Sequence, residues 1–338
     1  MKNKKLKNDF TKFARSYGVL LLVLVIEILF FSMGSPYFFT FNNLIAVFRQ
    51  IAPNAYIAAA LCMVFIIGGA DLSTGNVLAL AGMLSTGLVV EQGLPIPVAI
   101  IISLAAGALA GFTNGFFAAY TKMPPFIITY AVGNICKGIE YIYCNADTYR
   151  ITDKAFTTWG AGYIGPIPIP VVIAVVIFIA VNIVLTRTKL GRQMYAAGGN
   201  PTAARYAGIN TPKLTLMVYT FCGTMAALAG FITASRTYAG IPTVGGDTAM
   251  AAIAAVILGG VSMGGGRGGI PGAILGSLIM GVMSNGFNLM GVNTYWQYIA
   301  RGVILIAAVY VDYQRNNAAF VARIQRFTNI ITKKEVKE

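Results

Sequence analysis

The stretch GGADLSTGNVLALAGM, residues 68–83, places a single aspartate, Asp71, between two long apolar runs. The run LCMVFIIGGA leads up to it, and NVLALAGMLSTGLVV begins a few residues after it. The apolar segment that follows, residues 76–90, makes about 22 Å of helix, whereas the hydrocarbon core of a bilayer is about 30 Å thick. GGADLSTG is therefore expected to lie partly within membrane depth, where only protein or a water-filled cavity can surround non-helical backbone.

These residues predict a break between two helices. Gly68 and Gly69 release the preceding helix, and Asp71 or Ser73 can cap the next one. A carboxylate at a helix N-terminus is stabilised by about 0.3–1 kcal/mol through free N–H groups and the helix dipole. Capping is the expected role of Asp71, and direct contact with a substrate hydroxyl is the alternative. The predicted helix-break segment comprises Gly68, Gly69, Asp71, Ser73 and Gly75.

The composition is that of an all-α polytopic integral membrane protein. Of the 338 residues, 57% are hydrophobic and only 11% are charged, whereas about a quarter are charged in a soluble domain. Apolar stretches of spanning length recur along the chain. About ten transmembrane helices, some of them broken or re-entrant, are predicted near residues 17–34, 42–67, 76–91, 95–120, 126–145, 167–186, 214–238, 248–262, 269–290 and 295–312.

The net charge of +14 is a topology signal. Most basic residues fall in segments that share one side of a ten-span chain, and the positive-inside rule makes that side cytoplasmic. Both termini are then cytoplasmic, and no nucleic-acid patch is expected. The predicted divisions are a basic N-terminus (1–16), a membrane domain (17–312) with a cytoplasmic loop (187–213), and a basic C-terminus (313–338).

Several kinds of chemistry are excluded by what the sequence lacks. The chain has no histidine, which removes the usual general base and the usual metal ligand. It has no Gly-rich phosphate loop ending in Gly-Lys-Ser/Thr, so it is not expected to hold nucleotide phosphates. The four cysteines lie singly in apolar runs and are expected to be free and buried. We predict no catalytic residue, no metal site and no cofactor in this chain.

Within the loop 187–213, the segment NPTAARYAGI predicts a short capped helix. Asn200 can cap it, Pro201 suits its first turn and Gly208 ends it. Such a helix between two spans is suited to docking in a groove of a partner. The alternative is a surface helix that only closes the loop.

Several segments together resemble one family. AAGGNPTAARYAGIN is similar to the cytoplasmic coupling segment of ABC-type sugar permeases of the ribose/galactose/xylose family. The similarity continues through FCGTMAALAGFITASR, AAIAAVILGGVSMGGGRGGIPGAILGSLIMG and NGFNLMGVNTYWQYIARGVILIAAVYVD. Upstream, GGADLSTGNVLALAGM resembles the family's Asp-Leu-Ser-x-Gly segment, and PPFIITYAVGNICKGI its Pro-Phe-Ile-x-Thr segment. The resemblance covers roughly residues 30–313.

The resemblance implies a permease subunit of the bacterial cytoplasmic membrane that forms the pathway for a small sugar. It also implies a second permease chain, two ATP-binding-cassette domains and a periplasmic or lipid-anchored sugar-binding protein, with ATP and Mg on the separate ATPase. The chain would contact membrane lipid and no nucleic acid. The implied ATPase-coupling residues are Asn200, Pro201, Ala203, Ala204, Arg205 and Gly208.

One position departs from the family pattern. Family members commonly carry Glu-Leu-Asp where this chain has Ala249, Met250 and Ala251, which leaves Asp247 as the nearest acid. A divergent copy, or one half of a heterodimer whose partner retains the acids, would explain the departure.

Polar groups inside spans are the candidates for a sugar pathway, because a sugar needs partners for its hydroxyls and an aromatic face for its ring. Each also has a structural alternative, since buried Asn and Thr often hydrogen-bond between helices. Phe126 and Trp296 are the possible stacking surfaces. The structural alternative for Trp296 is a membrane-interface anchor. The pathway candidates are Asn54, Asn114, Phe126, Thr129, Asn134, Asn285 and Asn288.

Three other functions remain to be distinguished. A branched-chain amino acid or nucleoside permease of the same superfamily is the nearest. An ion-coupled secondary transporter would need intramembrane acids and two similar halves, and no such halves are visible. An intramembrane enzyme lacks a catalytic set.

Overall fold

A computed structural model describes residues 2–121 and 123–316. Lys122 and most of the predicted C-terminal segment (313–338) therefore lie outside the described residues. The helices are α1 (Lys2–Gly34), α2 (Phe41–Ile66), α3 (Thr74–Val90), α4 (Ile96–Tyr120), α5 (Pro125–Cys144), α6 (Lys154–Ala161), α7 (Ile169–Arg187), α8 (Lys189–Gly199), α9 (Pro201–Tyr206), α10 (Thr211–Thr237), α11 (Thr248–Leu258), α12 (Ile270–Leu289) and α13 (Thr294–Asn316).

Two pairs of very short strands connect the helices. β1 (Tyr149–Arg150) pairs antiparallel with β4 (Ala239–Gly240), and β2 (Tyr163–Ile164) pairs antiparallel with β3 (Ile167–Pro168). β1 and β4 join the connection after α5 to the end of α10.

Six of the described helices are long and apolar enough to cross a membrane. They are α1 through its part Tyr17–Gly34, α2, α4, α7, α10 and α12, and α3 and α11 are shorter apolar helices. The predicted all-helical membrane architecture is confirmed to this extent. A helix occupies each of the ten predicted spans within a few residues, except that α1 begins well before residue 17 and α11 ends at Leu258 rather than at 262.

The core is built around α2. Every residue from Tyr56 to Ile66 is buried, so this half of the helix is enclosed on all sides, as expected of a helix that is apolar all round. It packs against α7, α10, α11 and α12. The cysteines at 62, 136, 144 and 222 are free and buried, as predicted.

Close packing of α4 on α10 depends on glycines spaced four residues apart. A Cβ added to Gly107 would lie 2.6 Å from the carbonyl oxygen of Gly223, and one added to Gly115 would lie 2.9 Å from the Cα atom of Leu216. The two backbones therefore approach as the small-residue spacing predicts.

The connection 145–170 is not a loop throughout. It contains α6, which packs on α10. Phe156 of α6 is fully buried, and its ring meets that of Phe231 edge-on with centroids 5.2 Å apart. The apolar partner of this helix lies about 75 residues further along the chain, beyond any local pattern.

Candidate functional site

The chain between α2 and α3 is not helical, and Asp71 lies at the centre of this break. The side chain of Asp71 is fully buried. Its Oδ1 atom accepts hydrogen bonds from the backbone N–H of Ser73 at 2.9 Å and from the Ser73 hydroxyl at 2.6 Å. Asp71 thus binds the residue at the N-terminus of α3, whereas the Ser73 side chain caps no helix N–H. The Oδ2 atom of Asp71 has no hydrogen-bond partner among the described residues.

Side chains from three other helices hold the break. Asn114 of α4 donates to the Ser73 hydroxyl at 2.8 Å. The Leu72 N–H donates to Thr129 of α5 at 3.1 Å. The Tyr219 hydroxyl of α10 accepts from the Ala70 N–H at 3.2 Å and donates to the Ala70 carbonyl at 3.0 Å.

The two predicted pathway residues among them, Asn114 and Thr129, are fully buried and belong to this support. Gly69 lies against Tyr219, whose hydroxyl oxygen would be 2.5 Å from an added Cβ. Gly68 adopts the left-handed conformation, with φ of +79°, which glycine tolerates best.

A second non-helical segment meets this break. Residues 241–247 lead from β4 to the start of α11, and Gly245 in that segment contacts Gly75 at the start of α3 backbone to backbone. The N-termini of α3 and α11 therefore lie close together, and an aspartate precedes each of them: Asp71 before α3 and Asp247 before α11.

A polar cleft of about 210 Å³ lies between α2, α11, α12 and α13. It continues into a lobe of about 270 Å³ that shares Asp247 and Arg301 with it and adds the ring of Tyr298. The cleft lies near the middle of the helices, because Asn54 is about 12 residues, or about 18 Å, from the end of α2. Its polar lining residues are Gln50, Asn54, Asp247, Thr248, Ser277, Ser284 and Arg301.

Two residues of opposite charge face this cleft. The Nη2 atom of Arg301 donates to the Ser284 hydroxyl at 3.0 Å, while its Nε atom is buried without a partner among the described residues. The Tyr298 hydroxyl lies near the carboxylate of Asp247 in the second lobe. The cleft thus offers a cation, a carboxylate, hydroxyls, amides and one aromatic ring.

The remaining predicted pathway residues are not brought together. Asn54 lies in the cleft. Asn285 is buried and pairs with Asn43, each amide donating to the other at 3.1 and 2.9 Å. Asn288 accepts from the Gln297 amide at 2.8 Å. Phe126 and Asn134 lie on the outward face of α5, where Phe126 is 55% exposed.

Most of the cleft residues were missed at the level of sequence. Arg301 had a signal, because an ionisable residue inside an apolar span marks a functional site by default. Asp247 was noticed only as the nearest acid to a family motif. Gln50, Ser277 and Ser284 have no local signal, since single polar residues are common in packed helices.

The predicted coupling helix is α9. Asn200 caps it by accepting from the Ala203 N–H at 3.0 Å, and Gly208 follows its end with φ of +80°. Ala204 is its one buried side chain among residues 200–208. The Nε atom of Arg205 donates to the Thr211 hydroxyl at 2.9 Å, which ties α9 to the start of α10. The other side chains of α9 are exposed.

Comparisons with known proteins identify relatives along nearly the whole chain. The family model described as "Branched-chain amino acid transport system / permease component" matches residues 43–309. The ribose import permease protein of Escherichia coli strain K12 is 38% identical over 86% of this chain and 92% of its own length. The ribose import permease protein of Bacillus subtilis strain 168 is 37% identical over 88% and 92%, respectively. The D-allose transport system permease protein of Escherichia coli strain K12 is 33% identical over 90% and 93%. No solved structure gives a significant match.

Proposed function

The chain belongs to the family of permease components of ATP-binding-cassette importers, and on that premise we propose that it forms the translocation pathway for a monosaccharide. Members of this family are transport components rather than enzymes, and they are multi-pass proteins of the bacterial inner membrane. ATP is handled by a separate subunit. The sugar permeases among the relatives of this chain support sugar import over amino acid, nucleoside or ion-coupled transport.

The polar cleft carries the proposal. A monosaccharide presents several hydroxyl groups and one less polar ring face, and sites for it combine hydrogen-bonding groups with an aromatic surface. Asn54, Ser277 and Ser284 supply neutral partners, and Tyr298 supplies the ring. The guanidinium group of Arg301 lines the cleft and can donate to sugar hydroxyls.

Asp247 compensates for the departure from the family motif. It lies one helical turn before Ala251, and residues four apart share a face of a helix. Both line the two lobes of the cleft, whereas Ala249 is buried. The carboxylate that relatives commonly carry at position 251 would thus be supplied here from position 247.

We also propose ten membrane spans with both termini in the cytoplasm. α5 and α13 add to the six long apolar helices and the two short ones, and the basic excess of the connecting segments sets the orientation. In this orientation α8 and α9 are cytoplasmic, and the short strands with α6 lie on the outer face, where a periplasmic or lipid-anchored binding protein would dock.

A second permease chain, identical or homologous, would cover the outward face of α5. Asn134 and Lys137 are exposed near the middle of this helix, which also exposes Phe126 and Tyr130. An exposed lysine at that depth is unfavourable against lipid. A partner subunit or an aqueous pathway between two copies removes this cost, and it places Phe126 and Asn134 beside the pathway.

Each chain would dock one ATP-binding-cassette domain on α9, which is capped, exposed and tied to α10. ATP and Mg would bind that domain only. Purified alone, the chain is expected to show no ATP hydrolysis, and robust hydrolysis without partners would contradict this assignment.

Uptake by the reconstituted complex tests the function. The chain, its ATPase subunit and its binding protein are placed in lipid vesicles, and ATP-dependent accumulation of labelled D-ribose, D-allose, D-xylose and D-galactose is compared with that of L-leucine. Accumulation of at least one sugar without leucine is expected. Accumulation of leucine alone, or accumulation driven by an ion gradient without ATP, would refute the proposal.

A further inference from the structure

The end of α8 packs backbone to backbone against two other segments. A Cβ added to Gly198 would overlap the carbonyl oxygen of Ile66 and would lie 2.6 Å from the N atom of Gly266. The Gly266 N–H in turn donates to the Ile66 carbonyl at 2.8 Å. Ile66, Gly198 and Gly266 are named here the glycine junction.

Side chains fasten the turn 259–269, which contains Gly266, on both sides. The Tyr195 hydroxyl of α8 donates to the Gly268 carbonyl at 2.9 Å. The Asp312 carboxylate of α13 accepts from the Met263 N–H at 3.2 Å. The turn is therefore held to α8 as well as to the helix that carries Arg301.

The glycine junction lies between α9 and the helix that reaches the cleft. Asn200 alone separates α8 from α9. The turn 259–269 directly follows α11, which has 11 residues and a length of about 16 Å. The far end of α11 carries Asp247 and Thr248, which line the cleft. Ile66 leads directly into the helix break.

We propose that the glycine junction is a mechanical relay, in which displacement of α9 moves α11 and so reshapes the cleft, with Gly198 and Tyr195 as positioning residues. This inference rests on the proposed function, because it takes α9 as the helix that the ATPase moves. No flexible side chain lies between these backbones, so a displacement of α8 is passed on to the turn 259–269, since packed interiors transmit strain. α11 is short and is flanked by two non-helical segments, and its backbone at Ala255 contacts α12 at Gly276, so a shift of α11 carries this part of α12 with it.

Paired alanine substitutions test the relay in the reconstituted complex. Gly198→Ala forces the junction apart, whereas Gly199→Ala is the matched control because its added Cβ meets nothing within 4 Å. With D-ribose as the probe, the sugar imported per ATP hydrolysed is expected to fall by about fivefold or more in Gly198→Ala, the usual size of coupling between sites. The Gly199→Ala complex is expected to match the wild type. A purely structural role would lower import and hydrolysis together and leave their ratio unchanged.

A second readout needs no sugar. Met250 of α11 is 46% exposed and the four native cysteines are buried, so a fluorophore on Met250→Cys reports movement of α11. Adding ATP is expected to shift its emission in the wild type and in Gly199→Ala, but not in Gly198→Ala. The Tyr195→Phe variant, which removes one hydroxyl, is expected to reduce the ATP-induced shift in emission. If Gly198→Ala does not assemble, the Tyr195→Phe result tests the relay.

The relay is overturned if the wild-type emission is unmoved by ATP, or if every assembled junction variant keeps the wild-type shift. Failure of the proposed function looks different: ATP moves the probe, but no sugar accumulates.

Discussion

Arg301 is the most informative residue to change, and Arg301→Met is expected to lower the maximal rate of sugar transport. The substitution keeps much of the apolar stem and removes every donor. A hydrogen bond from a charged group contributes about 1.5–3 kcal/mol. Arg301 is only half-buried, so the lower end applies, and about 1.5 kcal/mol corresponds to about a tenfold loss.

The loss is expected in the maximal rate and not in the concentration of sugar at half-maximal uptake. The substrate arrives bound to a separate protein, so the concentration dependence reports that protein's site, while the cleft acts after delivery. Initial rates of labelled D-ribose uptake are measured over a range of sugar concentrations in vesicles containing equal amounts of assembled complex.

Two variants serve as controls for Arg301→Met. Arg187→Met removes an exposed arginine at the end of α7, outside the cleft lining, and is expected to transport normally. Arg301→Lys keeps the charge without the planar fork and is expected to be intermediate. Wild-type maximal transport in Arg301→Met, or an equal loss in Arg187→Met, would refute the role of Arg301 in the cleft.

Three further predictions concern the cleft, the break and α9. Asp247→Ala is expected to reduce maximal uptake by several-fold, and adding Ala251→Asp is expected to restore it because the two positions share a helix face; an unrepaired double variant would contradict this. Asp71→Ala is expected to lower the yield of assembled complex, because it removes the acceptor of two buried hydrogen bonds. Asp71→Asn keeps an acceptor and is expected to assemble. Normal assembly of Asp71→Ala with altered sugar selectivity would favour substrate contact instead. Arg205→Ala frees α9 from Thr211 and is expected to leave ATP hydrolysis while sugar uptake falls; unchanged uptake by the intact complex would contradict the coupling role.

Sequence reasoning located the elements whose signals are local. The break around Asp71 follows from two glycines, an acid and an apolar run that is too short to span, and α9 follows from Asn-Pro and a terminal glycine. The structure places a break and a capped helix at those positions.

The cleft was beyond the same reasoning, because its lining comes from four helices far apart in the chain. The sequence around a lone serine in an apolar helix is the same whether the side chain faces a neighbouring helix or a cavity. Asn285 illustrates the converse: its polarity was visible, but its partner Asn43 lies 242 residues away. Asn54 was among the pathway candidates and does line the cleft. Arg301 was not, although a cation within a span is costly and therefore points to function.

The meeting of Gly75 and Gly245 has a consequence for how the protein is made. Until residue 245 has left the ribosome, the start of α3 lacks the segment that covers it, although α2 and α3 are already synthesised. α2 and α3 therefore remain incompletely shielded from lipid until the last third of the polypeptide has been synthesised. A chain truncated after α10 is expected to be recognised by membrane proteases as unfinished, because its exposed backbone has no water or partner to bind.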